Sequence, residues 1–544
     1  MTPRARVGLL VAALTLGALA PPMVGRELMP PDEPRFALVA REMLETGDAV
    51  VLRRGGERYT DKPPLLFWLA ALCFRLAGGT PEWAARLPSL GATLGTVLLL
   101  EAFVRRRSED DAAGLRVAAV YVGSSLVLQR GAWVAPDALL SAATFASVVL
   151  LARLRERREV RHELLLGAAL AAGVLAKGPV ALVLVGLAWL AGRVTGTHLL
   201  GLRPLIRPAT VAAFAAAALP WPVAWALREG AGPLLAALWR QNVTRYVASW
   251  DNLEPWWYFG PALVLGLLPW SLPALASAAT GGWRRATREP LARWAGAWLA
   301  LCVLFFSIPS CKRGVYLLPC WPAAAILVER LLDPERLAAG VRRAAAMGGA
   351  LIALVALALA GAIAAGAGPA GAPPLDAPRV RAGALVVLVV TALGAAGLAA
   401  GLLRARRAAL AGPALAALAL GLLAPPVLTP ALNEAQRARA FATAARAAIP
   451  DGSRVAMARK KWELVAWYGR LTGPHDLERD ALLAHLAGPP PAAAILPEDA
   501  LPPRAAWPEG TELAHVGRIG RLRLAVLVRR APARPVVRAL SSTP

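Results

Sequence analysis

Charge is scarce in this sequence. Only 17% of its 544 residues are Asp, Glu, Lys or Arg, against 57% that are hydrophobic, and mean hydropathy is +0.51. Soluble domains usually carry about 25% charged residues, so a soluble globular chain of this length is excluded. Cysteine is nearly absent too. Cys73, Cys302, Cys311 and Cys320 have neither zinc spacing nor the pattern of a disulfide framework. Cys302 and Cys320 lie in apolar runs, where a thiol packs as a small hydrophobe. The five histidines, His162, His198, His475, His485 and His515, cluster nowhere. That speaks against a histidine metal site or Ser/His hydrolytic machinery. Acidic residues number 35 against 60 basic ones, a net charge of +25. The arginines fall in short clusters between apolar runs, which suits cytoplasmic loops and anionic lipid head groups better than a nucleic-acid face.

What is present in quantity is apolar runs. After a first run from Val7 to about Gly25, preceded by Arg4 and Arg6, runs follow near residues 88–104, 117–129, 138–152, 164–176, 180–191, 209–227, 259–278, 294–308, 315–328, 344–367, 382–402 and 408–428. Read as spans they total about thirteen. The first run resembles a signal peptide in its charge, but its length and the membrane segments after it favour an uncleaved span. The run Leu65–Ala77 is ambiguous by length. If it does not cross, Arg105–Arg107, Arg153 to Arg158, Arg193 to Arg207, Arg284 to Arg288, Arg330 to Arg343 and Arg404 to Arg407 all fall on one side, the positive-inside pattern. Leu65–Ala77 is therefore expected to be re-entrant or interfacial, the N-terminus inside and the C-terminus outside.

These features predict an α-helical polytopic membrane domain over residues 1–428, with a first outer loop at 26–87. From about Thr429 charged residues, Pro and Gly rise. Strand-like runs at Arg454–Ala458, Ala492–Leu496 and Arg521–Val528 flank a helical pattern at Glu434–Ala448, predicting a small outer α/β domain over 429–544. No internal repeat supports an inverted-repeat transporter.

The outer face collects polar residues that an outer face should lack. Asp32 and Glu33 precede an apolar stripe of Phe36, Val39, Ala40, Met43 and Leu44, the pattern of a short interfacial helix. On spacing alone the two carboxylates suit simple helix capping better; the sharper reading is a catalytic pair held at a membrane surface. Lys62 follows Asp61 and leads into Pro63-Pro64; it fits a phosphate contact or a head-group anchor. Asp137 opens a span. Lys177-Gly178-Pro179 breaks a long apolar run. Arg240, Asn242 and Arg245 precede Pro255-Trp256-Trp257-Tyr258, and Lys312, Arg313 and Tyr316 lie in one short segment. Snorkelling explains any one of these cations. A membrane-level cavity for a phosphate-bearing lipid explains them together.

Several strings resemble one family in the same order: Asp32-Glu33, Arg41-Glu42-Met43-Leu44, Gly47-Asp48, Lys62-Pro63-Pro64-Leu65 and Ala85-Arg86-Leu87-Pro88-Ser89, then Lys177-Gly178-Pro179, Pro255-Trp256-Trp257-Tyr258, and Phe305-Phe306-Ser307 through Pro319. Over most of the first 330 residues the chain resembles the bacterial aminoarabinose transferase and dolichol-phosphate-mannose protein mannosyltransferase superfamily. The resemblance implies a C-type glycosyltransferase fold of about thirteen transmembrane helices, with interfacial helices in the first outer loop and a small C-terminal domain. It implies a sugar donor on undecaprenyl phosphate and a lipid A-like, glycan or protein acceptor at the outer face of a bacterial inner membrane, with membrane lipids and no nucleic acid as partners. By motif position Asp32 and Asp137 match catalytic carboxylates. Lys62, Lys177, Arg245, Lys312 and Tyr316 match the donor phosphate and its cavity, with Glu33, Arg240, Arg313 and Glu254 as secondary candidates. Many relatives carry a His before Pro-Trp-Trp-Tyr. Here the stretch is Trp250-Asp251-Asn252-Leu253-Glu254, a departure that puts any metal or acceptor role of that His in question, with Asp251 and Glu254 as candidate substitutes and the need for a divalent metal open. A lipid flippase would need paired charges deep within its spans, and a surface-polysaccharide polymerase or ligase would share the donor chemistry without this Asp-Glu loop. Both stand as alternatives.

Overall fold

The computed structural model describes residues 2–247, 249, 251–333, 337–365, 378–404 and 407–531. It divides into two compact units. The first comprises Met1–Arg26, Met43–Leu52 and Arg58–Leu432, and the second Glu27–Glu42, Arg53–Glu57 and Asn433–Pro544. The first outer loop, expected as part of the membrane domain, thus contributes Glu27–Glu42 to the unit that holds the C-terminal segment.

The first unit is helical. Among the described residues eight helices are long and apolar enough to cross a membrane, or up to ten if each of two bent pairs is one span. The difference from the expected count has physical causes. The expected span at 117–129 breaks at Gly123-Ser124 into Ala113–Val122 and Ser125–Arg130, and the one at 259–278 bends by 107° between Phe259–Gly266 and Ser271–Ala286. Val180–Val194 is apolar but short, and Val160–Lys177 carries Arg161, Glu163 and Lys177 within its 18 residues. Leu65–Leu76 is a 12-residue apolar helix, about 18 Å long at 1.5 Å per residue, against a hydrocarbon core of about 30 Å. The chain is a multi-pass helical membrane protein with a small C-terminal sheet.

Its helices are built inside-out relative to a soluble bundle. Ala339–Ala364 buries Ala345, Ala346 and Gly349 while exposing Met347, Leu351 and Leu354. Small residues face the neighbour because in lipid close backbone approach, rather than exclusion of water, holds helices together. A Cβ at Gly349 would lie 3.2 Å from the Ala395 carbonyl oxygen. A second, bulkier core surrounds Trp294, Trp298 and Trp321, all fully buried. The Trp294 indole N–H donates to the Ala188 carbonyl (2.8 Å), so its polar atom is satisfied. Arg86, buried within the helix Glu82–Arg105, donates to the carbonyls of Met23 and Arg26 and ties down the turn after the first helix.

Single helices differ in charge between their two ends. Asp137–Glu156 has Asp137 at its first position and Arg153 and Arg155 in its last turn. Glu156 at that far end pairs with Arg107 (2.5 Å), and Arg116 pairs with Asp110 (2.6 Å) and Glu329 (2.7 Å).

The second unit carries a four-stranded sheet in the order Arg454–Met457, Ala492–Pro497, Leu522–Arg529, Thr511–Ile519. The first pair is parallel, with Arg454 opposite Ala492, and the other pairs are antiparallel. A parallel pair needs a crossover, supplied by the helices Trp462–Gly469 and Arg479–Ala487. The strand Thr511–Ile519 was missed in the sequence because its residues are mostly half-exposed and lack an apolar run.

Candidate functional site

A cleft in the first unit is lined by Tyr59, Asp61, Lys62, Lys177, Gly178, Trp221, Trp225, Gln241 and Asn242 and holds about 550 Å³ of empty space, open solvent included. Aromatic walls with two cations suit a ligand that joins an apolar chain to an anion.

Each cation is placed by its element. Lys177 is the last residue of Val160–Lys177, and Gly178 ends that helix at φ 86°, a conformation glycine adopts without steric cost. A Cβ at Gly178 would come within 2.9 Å of the Asn242 side-chain oxygen, which would have to shift aside. The Lys177 ammonium pairs with the carboxylate of Asp137, which opens the helix Asp137–Glu156 and is buried. An anion at a helix N-terminus is favoured by the unpaired N–H groups there. The same ammonium lies 4.6 Å over the Tyr316 ring, a cation–π contact.

Tyr316 leads onward. Its hydroxyl is 3.5 Å from the Cys311 thiol, which also donates to Asp251 Oδ1 (3.5 Å). Arg245 Nη2 donates to both Asp251 oxygens at 3.0 and 2.9 Å and to the Cys311 sulfur at 3.9 Å. Burial disfavours the Arg245 charge, but Tyr316, Asp251 and Cys311 more than offset it, and its pKa is raised. Arg245 Nη1 donates to Gln241 Oε1 (3.4 Å), and Gln241 Nε2 donates to Asp61 Oδ1 (2.8 Å). At the far end of this chain Lys62 Nζ donates to the Asp61 carbonyl (2.9 Å). Lys62, Arg245, Tyr316, Lys177 and Asp137 therefore belong to one hydrogen-bonded and ring-stacked network that borders the cleft.

Lys312 behaves differently. It is buried, and its ammonium donates to the main-chain carbonyls of Glu254 (3.0 Å) and Pro309 (2.6 Å), while its N–H donates to the Asn252 carbonyl (3.0 Å). It clasps the segment around 309–313 to the segment 252–254. Glu254 and Arg240 are exposed, and Arg313 is half-buried. Trp250 lies outside the described residues.

Asp32 and Glu33 belong to the second unit, where both are buried. They form the first turn of Asp32–Thr46. Asp32 pairs with Arg35 at 3.5 Å, and Glu33 Oε2 accepts the Met29 N–H (2.9 Å). Farther along this helix Arg41 donates to the Trp467 and Ala466 carbonyls (2.9 and 3.1 Å), and Glu42 accepts the N–H groups of Gly55 and Gly56 (2.6 and 3.1 Å).

Three members of the network had drawn no role in the sequence. Asp61 and Gln241 are each adjacent to a residue that was singled out, and Cys311 sits inside a quoted motif. Their functional signal is spatial and has no spacing rule. Among the described residues no group of three or more His, Cys, Asp or Glu side chains is placed to hold a metal ion.

A profile of the dolichyl-phosphate-mannose-protein mannosyltransferase family matches residues 61–225. The undecaprenyl phosphate-alpha-4-amino-4-deoxy-L-arabinose arabinosyl transferase of Pseudomonas aeruginosa is 31% identical over 371 residues, 66% of each chain. The same-named protein of Aeromonas salmonicida is 33% identical over 323 residues. The crystal structure of ArnT from Cupriavidus metallidurans bound to undecaprenyl phosphate superposes with a TM-score of 0.80 at 21% identity, covering 98% of this chain and 99% of that one. The chain belongs to the aminoarabinose transferase and protein mannosyltransferase superfamily of C-type glycosyltransferases. Within this superfamily it shares the whole fold of ArnT, while the match spans only 57% of the length of the Aeromonas salmonicida relative.

Proposed function

We propose that this protein is an inverting glycosyltransferase of a bacterial inner membrane, with its N-terminus in the cytoplasm and its C-terminus on the outer side. It takes a sugar from a polyprenyl phosphate, most simply undecaprenyl phosphate, and passes it to a lipid A-like, glycan or protein acceptor. The observation that carries this reading is the meeting of Lys62 and Lys177 in one cleft, with Arg245 tied to it through Gln241, Asp61, Cys311 and Tyr316. The relatives' names and the lipid in the ArnT structure support the donor class.

Breaking the bond between the sugar C1 and the phosphate oxygen leaves negative charge on the departing lipid phosphate. Preorganised cations stabilise that charge more in the transition state than in the bound donor, which is what accelerates the step. Lys62 and Arg245 take this role. Lys177, held by Asp137 and laid on Tyr316, sets the positive potential of the cleft wall. Tyr59, Trp221 and Trp225 supply the apolar walls. Lys312 keeps the 309–313 segment in place through main-chain carbonyls. For a hydroxyl acceptor Asp32 is the general base of a single displacement. For a phosphate acceptor no base is needed, and Asp32 orients the acceptor or the sugar. Glu33, Arg240, Arg313 and Glu254 are secondary contacts.

Purified protein incubated with radiolabelled polyprenyl-phosphate sugars and candidate acceptors tests this reading. Label should move from the lipid to an acceptor. Label that stays on the carrier with every acceptor tried, in protein shown to be folded, rejects it.

A further inference from the structure

The network contains two cation–carboxylate pairs, and they are not equivalent. In Lys177–Asp137 the side chains are 17% and 9% exposed, and Asp137 is anchored at a helix N-terminus. In Arg245–Asp251 they are 21% and 40% exposed, and Asp251 sits on the irregular segment before Pro255. A half-exposed pair of this kind contributes little net attraction, because water and salt screen it. Asp251 also uses the guanidinium incompletely. One nitrogen, Nη2, serves both of its oxygens, while Nη1 is turned to Gln241 at a long 3.4 Å. A phosphate carries more charge and can take two parallel N–H donors, the stronger geometry. It therefore outcompetes Asp251 for Arg245, whereas nothing in the geometry offers an equal exchange at the more enclosed Asp137.

Resting on the reading of Arg245 as a donor-phosphate contact, we propose that Asp251 is an internal stand-in anion. It occupies Arg245 while the cleft is empty, yields when the lipid phosphate arrives, and returns to help expel the spent lipid phosphate. The Cys311 thiol, which donates to Asp251 Oδ1 and touches Tyr316, holds the carboxylate near its resting place. Lys312 holds the neighbouring main chain, so the exchange is a side-chain rotation and needs no loop rearrangement.

The test is binding of undecaprenyl phosphate to the full-length protein in lipid nanodiscs, with association and dissociation followed separately. Asp251→Asn removes the competing charge and keeps the shape. It should tighten binding about two- to five-fold, a gain of about 0.4–1 kcal/mol, mainly by slowing dissociation. Asp251→Ser should do the same, and Asp251→Glu should restore wild-type release. Unchanged or weaker binding in both Asp251→Asn and Asp251→Ser overturns the proposal. Arg245→Ala separates the two levels. Lost lipid binding there, with no tightening in the Asp251 variants, rejects the stand-in alone. Unchanged binding in Arg245→Ala rejects the phosphate contact itself.

Discussion

Lys177 ends one helix and Asp137 begins another, and their charged groups meet between the two termini. The ammonium sits where the Val160–Lys177 carbonyls end and the carboxylate where the Asp137–Glu156 N–H groups begin, so each helix dipole favours the charge placed there. The pair fixes a cation beside the cleft at the level where the apolar runs stop.

Removing one partner should cost more than removing both. Asp137→Asn or Lys177→Met alone leaves a largely buried charge uncompensated, a loss of about 2–4 kcal/mol after allowing for partial exposure. The double variant should recover more than half of that loss. Thermal unfolding of the detergent-solubilised protein measures it, and additive losses would show that the pair is not coupled.

Lys62→Ala should weaken use of the donor. A hydrogen bond to a charged group contributes about 1.5–3 kcal/mol, which corresponds to roughly ten-fold to a hundred-fold in kcat/KM for the lipid-linked sugar. Lys62 is half-buried, and thermal unfolding of the variant alongside the wild type separates loss of donor use from loss of fold. An unchanged donor response would return Lys62 to the role of a head-group anchor.

Asp32→Asn discriminates between acceptor classes. With a hydroxyl acceptor, loss of a general base should lower kcat by about 10²–10⁴-fold. With a phosphate acceptor the loss should be far smaller. Full activity on a hydroxyl acceptor would remove Asp32 from the mechanism.

Arg41 reads as a cap. It donates to the carbonyls of Ala466 and Trp467, near the end of the helix Trp462–Gly469, where carbonyls lack partners within the helix. Arg41→Met should destabilise this unit by about 2–3 kcal/mol. Hydrogen exchange should rise at residues 462–470, and Arg41→Lys, which lacks the planar fork, should restore only part of the protection.

Glu463 gives the second unit a pH signature. Burial pushes its carboxyl above the ordinary value, against its own backbone hydrogen bond and the charges of Arg54 and Arg35. A raised folded-state pKa means the contribution to stability is full below the unfolded value of about 4.3 and is lost as pH rises through the higher folded value. Glu463→Gln should therefore gain on the wild type in melting temperature from pH 4 to pH 7.5. A difference that stays flat over that range contradicts the assignment.

Much of the fold was legible because its signals are one-dimensional. Long apolar runs, clustered arginines and the compositional break near Thr429 each need only the chain order. Three of the strands carried apolar runs, and Thr511–Ile519 did not. Span boundaries were less legible, since composition alone does not reveal that Gly123-Ser124 interrupts a helix or that a pair of helices bends by 107°. Within the site, Lys62, Lys177 and Arg245 drew attention because the sequence reading expected few cations on the outer side. The orientation of Lys312 toward carbonyls was not readable, because a lysine facing a ligand and one facing main chain have the same sequence signature. The linking residues Asp61, Gln241 and Cys311 matter through contacts that exist only after folding.

In the proposed reaction the cleft beside Lys62 and Lys177 receives a polyprenyl phosphate head group. A structure of the protein in nanodiscs saturated with undecaprenyl phosphate tests it most directly. Phosphate oxygens should lie within about 3.2 Å of Lys62 Nζ and the Arg245 guanidinium, with the Asp251 carboxylate turned away. A lipid phosphate bound elsewhere, or a cleft left empty at saturation, contradicts it.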